Sequence, residues 1–218
     1  MVNALKAVIF DMDGVIFDSE RAVYDGWREL AEKYGFENLD TPYCKCVGVN
    51  YETTRQIFLD FYGENFPFER YSREQSENYH KKYDGGRLPL KAGVFELLEY
   101  LKGEGYFTAV ASSTRSAVVV RQIKDAGLSK YFERIIGGDM VQKSKPEPDI
   151  FIKAVEGLEF ENIYVIEDSF NGIRAADAAG FIPIMVPDMI EPDDEMKHKA
   201  RVILPDLLAV IEFLRGAK

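Results

Sequence analysis

Short apolar runs with no polar alternation restrict this chain more than any other feature. They read "LKAVIFD" (Leu5–Asp11), "YFTAVASS" (Tyr106–Ser113), "RIIGGD" (Arg134–Asp139), "NIYVIED" (Asn162–Asp168), "IPIMV" (Ile182–Val186) and "RVIL" (Arg201–Leu204). A strand with one wet face alternates. A strand that is apolar throughout is covered on both faces, as in a parallel sheet between helices. Helical patterns separate the runs: "VFELLEYLKGEG", "SAVVVRQIKDAGL", "PDIFIKAVEGL" and "GIRAADAAG", several of them stopping at glycine. The sequence therefore predicts an α/β fold, a Rossmann-like doubly wound parallel sheet. With 218 residues the chain suffices for one large domain, or for a core with a smaller insert.

Residues 19–86 break the pattern. They contain no convincing buried strand, but they do contain helix-like stretches such as "AVYDGWRELAEKYG" and "YETTRQIFLDFYG". This predicts a helical insert, residues 19–86, between two parts of a core, residues 1–18 and 87–218. Trp27, Phe58, Phe61 and Tyr62 are expected to form a small core of its own. Cys44 and Cys46, one residue apart, read as two reduced thiols, which fits a reducing cytoplasm. His80 and His198 lie among charged residues and read as solvated. The net charge of −10 disfavours nucleic acid and anionic membrane surfaces as partners. No apolar run approaches the roughly 20 residues of a membrane span, and no secretory leader is expected.

Three of the proposed strands end in polar residues: Asp11 and Asp13, then Ser112 and Ser113, then Glu167 and Asp168. Ligands of open parallel sheets bind outside the carboxyl ends of the strands, so these ends converge on one place. Asp11, Asp13, Glu167 and Asp168 would repel one another without a cation. Their all-oxygen donor set favours Mg2+. Lys145, in "KSKPEPDIF", supplies a second positive charge. Lys143 competes for this role, and spacing from Pro146 favours Lys145. Ser112, Ser113 and Thr114 precede a helix, where hydroxyls and free backbone N–H groups receive phosphate. A carboxylate nucleophile, a second carboxyl two residues on, a divalent cation, a lysine and a phosphate cradle are equipment for phosphoryl transfer through an aspartyl-phosphate.

On these residues the chain resembles the haloacid dehalogenase superfamily, in its phosphatase and beta-phosphoglucomutase branch. "DMDGVIFDSE", "VASST", "KSKPEPDIF" and "VIEDSFNGIRAADAAG" match its four motifs in order. The resemblance implies a helical cap over a Rossmann-like core, with Asp11 as nucleophile and Asp13 as general acid and base. It implies a phosphate site of Ser112, Ser113 and Lys145. It also implies magnesium held by Asp11, the Asp13 carbonyl and Asp168, with Glu167 nearby. The second aspartate points to phosphate chemistry rather than dehalogenation. Beta-phosphoglucomutases carry a cap histidine, and the corresponding place here is Val23. Their cap arginine falls near Tyr51, after Gly48, and the nearest arginine is Arg55. The expected activity is hydrolysis of a small phosphorylated metabolite, with sugar phosphates among the candidates. Beta-phosphoglucomutase and a non-catalytic binding protein are the alternatives. Arg21, Arg55 and the lysines near His80 are candidate cap contacts.

Overall fold

A computed structural model describes residues 6–46 and 51–216. Six parallel strands form one sheet: β1 (Lys6–Phe10), β2 (Phe107–Ser112), β3 (Arg134–Gly137), β4 (Asn162–Glu167), β5 (Ile182–Met185) and β6 (Val202–Ile203). Their order is β3-β2-β1-β4-β5-β6. The chain thus winds outward from β1 to β3, then returns to the other side of β1 with β4. The reversal opens a crevice between β1 and β4, the place where open α/β sheets bind ligands. β1 and β4 run in register, with Phe10 beside Ile166, and the backbone N–H of Asp11 extends the pairing to the Ile166 carbonyl at 3.0 Å.

Each strand is apolar because helices cover both sides of the sheet. Successive side chains of a strand point to opposite faces. Val8 and Phe10 face one layer, packing with α5 (Val94–Gly103), α6 (Ser116–Asp125) and α10 (Leu207–Gly216). Ala7 and Ile9 face the other, against α7 (Asp149–Ala154) and α8 (Phe170–Ala178). The alanines of that second layer let both helices approach the sheet closely, Ala109 and Ala111 of β2 beneath α7 and Ala175 and Ala176 of α8 above β4 and β5. A short helix, α9 (Asp194–Lys199), packs Met196 against Met185 and Ile173. The doubly wound sheet expected from the apolar runs is the one observed.

Between β1 and β2 lie α1 (Ser19–Tyr34), α2 (Asp40–Tyr43), α3 (Tyr51–Tyr62) and α4 (Phe68–Tyr83). They share a hydrophobic cluster of Trp27, Leu30, Leu39, Tyr43, Cys46, Phe58, Leu59, Phe68 and Tyr71. Trp27 sits 4.6 Å from Phe58 and 5.6 Å from Phe68, ring to ring. Aromatic pairs at this spacing add to the area they bury. Tyr62 packs against the cluster, but Phe61 is 42% exposed and lies outside it, meeting only the outer edge of the cluster through an edge-on contact with the Tyr62 ring at 4.8 Å. Cys46 is buried and Cys44 exposed, both as free thiols, and burial pushes the Cys46 thiol up to about 11. His80 is exposed and pairs with Asp84, and His198 is exposed against the Asp194 carbonyl. Gly48 lies outside the described residues. No described helix is long and apolar enough to cross a membrane.

Candidate active site

The carboxyl ends of β1, β2 and β4 meet at a cavity of about 580 Å3. Asp11, Asp13, Ser112, Ser113, Lys145 and Asp168 line it together. Glu167, the last residue of β4, sits beneath the floor and is fully buried.

Lys145 joins the acids. Its ammonium donates to Asp11 Oδ1, to Glu167 Oε1 at 2.6 Å and to the Ala111 carbonyl at 3.1 Å. Three donors meet three acceptors, so the group is saturated. The Phe151 ring lies 4.8 Å from the same nitrogen. Only 6% of the side chain is exposed, and flanking carboxylates of this kind overcome burial and keep the amine protonated. Lys143 pairs instead with Glu147 at 3.7 Å, on the surface.

Glu167 is also held through both oxygens. Its second oxygen accepts from the backbone N–H groups of Asp168 (3.1 Å) and Ser169 (3.0 Å), and from the Ser169 hydroxyl (2.9 Å). That hydroxyl in turn accepts from the Gly172 N–H at 3.0 Å and so caps α8. A β-carbon on Gly172 would stand 1.8 Å from the Glu167 carboxyl carbon. Glycine there is what lets the glutamate lie under the helix start.

Asp13 is held by hydroxyls. Ser19 donates to one carboxylate oxygen at 2.8 Å; Thr114, at 3.0 Å, and Ser112, at 3.4 Å, donate to the other. Ser112 also receives the Thr114 N–H at 3.1 Å. The first helix of the insert thus begins on the aspartate. Gly14 has φ +79°, and a β-carbon there would fall 2.1 Å from Asp168 Oδ2. Both the left-handed backbone and the close approach require glycine.

Burial pushes the Asp11 carboxyl up to about 8, with the negative charges of Glu167 and Asp13 adding to the rise and Lys145 opposing it. Asp168 is raised too, by burial first and then by Glu167 and Asp11. These acids occupy a site built for more positive charge than Lys145 provides. Carboxylate oxygens of Asp11, Glu167 and Asp168 lie within 4.8 Å of one another, so a hard divalent cation fits the donor set. The Asp13 side chain is not in that trio, because its oxygens turn to Ser19, Thr114 and Ser112.

These contacts fit a known lineage. The model of the haloacid dehalogenase-like hydrolases matches residues 8–186. The chain belongs to this family. Among curated relatives, the phosphorylated carbohydrates phosphatase of Thermotoga maritima is 32% identical over 178 residues, 81% of this chain and 82% of the relative. Beta-phosphoglucomutase of Bacillus subtilis is 29% identical over 197 residues, 84% of this chain and 83% of that protein. A solved HAD-family hydrolase from Deinococcus radiodurans, with bound phosphate and sodium, superposes with a TM-score of 0.82. It covers 98% of this chain and 96% of that one at 24% identity, a likeness of fold.

Several residues of this hydrolase's cavity were not read from sequence as site residues. Glu20, Phe170, Arg174, Met189 and Ile190 line it, and Ser19 reaches Asp13. Glu20 and Ser19 directly follow the "DMDGVIFD" stretch, and that adjacency was the available signal. Nothing local to Met189 or Ile190 marks them, since only the return of the chain after β5 brings them to β1. The candidate cap contacts lie elsewhere. Arg55 is bound to Glu69 at 2.5 Å, Lys82 to Glu29 at 3.0 Å, and Arg21 and Lys81 are exposed and do not line the cavity.

Proposed function

We propose that this hydrolase is a magnesium-dependent phosphatase that releases phosphate from a small phosphorylated metabolite through a phosphoryl group carried on Asp11. The observation that supports it most is the meeting of Asp11, Asp13, Lys145 and Asp168 in one cavity, with Lys145 bonded to Asp11. A binding site for phosphate has no use for an acid and a hydroxyl-tethered second carboxyl side by side.

In this reading Asp11 attacks phosphorus, and Asp13 protonates the leaving oxygen. Ser19, Thr114 and Ser112 hold Asp13 in place for that transfer. In the second half Asp13 takes a proton from the water that attacks the phosphoryl group on Asp11, and phosphate departs. Ser112 and the backbone around Ser113 bind the phosphoryl oxygens, and Lys145 joins them by moving the N–H it gives to Asp11 onto a phosphoryl oxygen. Magnesium would be held by Asp11, the Asp13 carbonyl and Asp168, with Glu167 behind, and would supply the positive charge that lets an anionic carboxylate meet an anionic ester. Residues 19–86 act as the cap that excludes water during the first half, on a core of residues 1–18 and 87–218. A reducing cytoplasm suits the two free thiols.

Likeness to the Bacillus subtilis beta-phosphoglucomutase supports a second reading, phosphoryl transfer between sugar positions. Val23, where that branch carries a histidine, packs its aliphatic side chain against the aromatic cluster of the insert, which favours hydrolysis. Asp11→Asn is expected to abolish magnesium-dependent phosphate release from p-nitrophenyl phosphate, by at least about a thousandfold, with an unchanged circular dichroism spectrum. Substantial turnover by the variant would remove Asp11 as nucleophile. Beta-glucose 1-phosphate with a bisphosphate primer separates the two readings: free phosphate alone supports the phosphatase, and glucose 6-phosphate supports the mutase.

A further inference from the structure

The charges that line the cavity bear on the part of the substrate that leaves, given the phosphatase reading on which this inference rests. Both cations on the lining are engaged. Lys145 serves the phosphoryl end, its donors directed at Asp11, Glu167 and the Ala111 carbonyl. Arg174 is drawn into a two-pronged pair with Glu195, at 2.8 and 2.5 Å, and gives its remaining contact to Asn171 at 3.1 Å. Among the described residues of the insert no lysine or arginine lines the cavity: Arg55 and Lys82 are paired on the surface, and Arg21 is exposed off the lining. Residues 47–50 read Val-Gly-Val-Asn and contain no lysine or arginine.

Negative charge, by contrast, extends beyond the phosphoryl end. Glu20 stands on the lining, in the first turn of α1. Asp188, in the loop after β5, acts on Glu20 electrostatically, and its side chain is only 5% exposed. One Asp188 oxygen binds Lys91 at 2.6 Å; the other is buried and has no hydrogen-bond partner among the described residues. The rest of that wall is apolar, made by Met189, Ile190 and Phe170. Burial, Asp13 and Asp188 together push Glu20 up to about 7, the mark of a place already crowded with negative charge.

We propose that the leaving group accepted here is an uncharged, hydroxyl-bearing carbon skeleton, that Glu20 accepts a hydrogen bond from one of its hydroxyls, and that esters carrying a second anion are rejected. A carboxylate accepts from a hydroxyl, and the apolar wall suits the C–H face of a polyol or sugar. A carboxylate or second phosphate on the substrate would instead meet Glu20 in a partly buried site whose described lining offers no unpaired lysine or arginine. Like charges so placed discriminate strongly.

The test compares esters of matched size in the presence of magnesium: glucose 6-phosphate against 6-phosphogluconate and fructose 1,6-bisphosphate, and glycerol 1-phosphate against 3-phosphoglycerate. The wild type should favour each neutral ester by at least about tenfold in kcat/KM, mostly through KM. Glu20→Gln keeps an acceptor and removes the charge, so it should narrow the neutral-to-anionic ratio by about tenfold. Thermal unfolding confirms that the variant is folded; if it is not, the wild-type ratios decide alone. Turnover of p-nitrophenyl phosphate with no preference for neutral esters, or a folded Glu20→Gln with an unchanged ratio, overturns the inference and leaves the phosphatase standing. No phosphate from any ester, the aryl phosphate included, removes both.

Discussion

At the scale of single residues, the site is governed by how buried charge is tolerated. Glu20 shows the sign of the effect. Its carboxyl ionises near its ordinary value in the unfolded chain, but at about 7 in the fold, because of burial, Asp13 and Asp188. Between those values the folded state binds more protons than the unfolded one, so stability falls as pH rises from about 4.5 to about 7. Glu20→Gln removes that loss. The variant is expected to gain about 2 kcal/mol on the wild type in passing from pH 5 to pH 8, after allowance for partial exposure. Urea unfolding at the two pH values checks this, and an equal difference at both would place Glu20 in solvent. Gly14 carries a second test. An alanine there must adopt φ +79° and displace Asp168 Oδ2 from 2.1 Å. Gly14→Ala is expected to weaken magnesium binding about tenfold or more, read by calorimetry, because it moves a proposed ligand. The strand-end acids were legible in the sequence, because a buried run must stop where charge begins. Ser19 and Glu20 were not, because a helix pattern shows which face is apolar but not what its first turn touches.

At the scale of elements, two segments matter most: the linkers that enter and leave the insert. Asp18 N–H donates to the Pro89 carbonyl and Lys91 N–H to the Ile16 carbonyl, both at 2.9 Å, so the linkers pair as a short antiparallel ribbon around Phe17 and Leu90. Lys91 then reaches Asp188 at 2.6 Å and Asp18 at 3.5 Å. One ammonium thus ties both linkers to the loop after β5. That loop also sends Met189 against the insert's aromatic cluster. Lys91→Met would strand the buried Asp188 carboxylate, and removing one partner of such a pair costs about 3 kcal/mol. Thermal melts should show that loss, and Lys91→Met/Asp188→Leu should recover most of it; failure to recover would mean that Lys91 acts through something other than Asp188. Element identity was readable where the period was strong, as in β1, β2 and β4. It was weaker for α4, whose sequence "FERYSREQSENYHKKY" is mostly polar and buries only Phe68, Tyr71 and Gln75. The ribbon could not be read at all, since a pairing between residues 16–18 and 89–91 has no local signature.

At the scale of the whole molecule, the chain has large cores on the two faces of its sheet and a separate aromatic cluster in residues 19–83. That cluster is small, with nine buried members among the described residues, and it is distinct from the sheet cores, to which the insert is joined through Ala22, Tyr79 and Tyr83, through Met189 and through the paired linkers. A unit with fewer buried apolar contacts opens at lower cost than its neighbour. The chain carries its own reporter for this, because Trp27 is the single tryptophan and lies inside the small cluster. In urea, the Trp27 fluorescence transition is expected to precede the loss of ellipticity at 222 nm, which is dominated by helices of both parts. Coincident curves would show instead that insert and sheet unfold as one cooperative unit. Orthovanadate with magnesium sharpens the test. A phosphate mimic that binds in the cavity, where Glu20 of α1 faces Asp11 and Lys145, touches both parts and stabilises only the state in which they are together. The fluorescence transition should therefore shift toward the ellipticity transition as vanadate is added. A ligand that raised only the later transition would be bound by the sheet alone, and the insert would then have no part in holding the substrate.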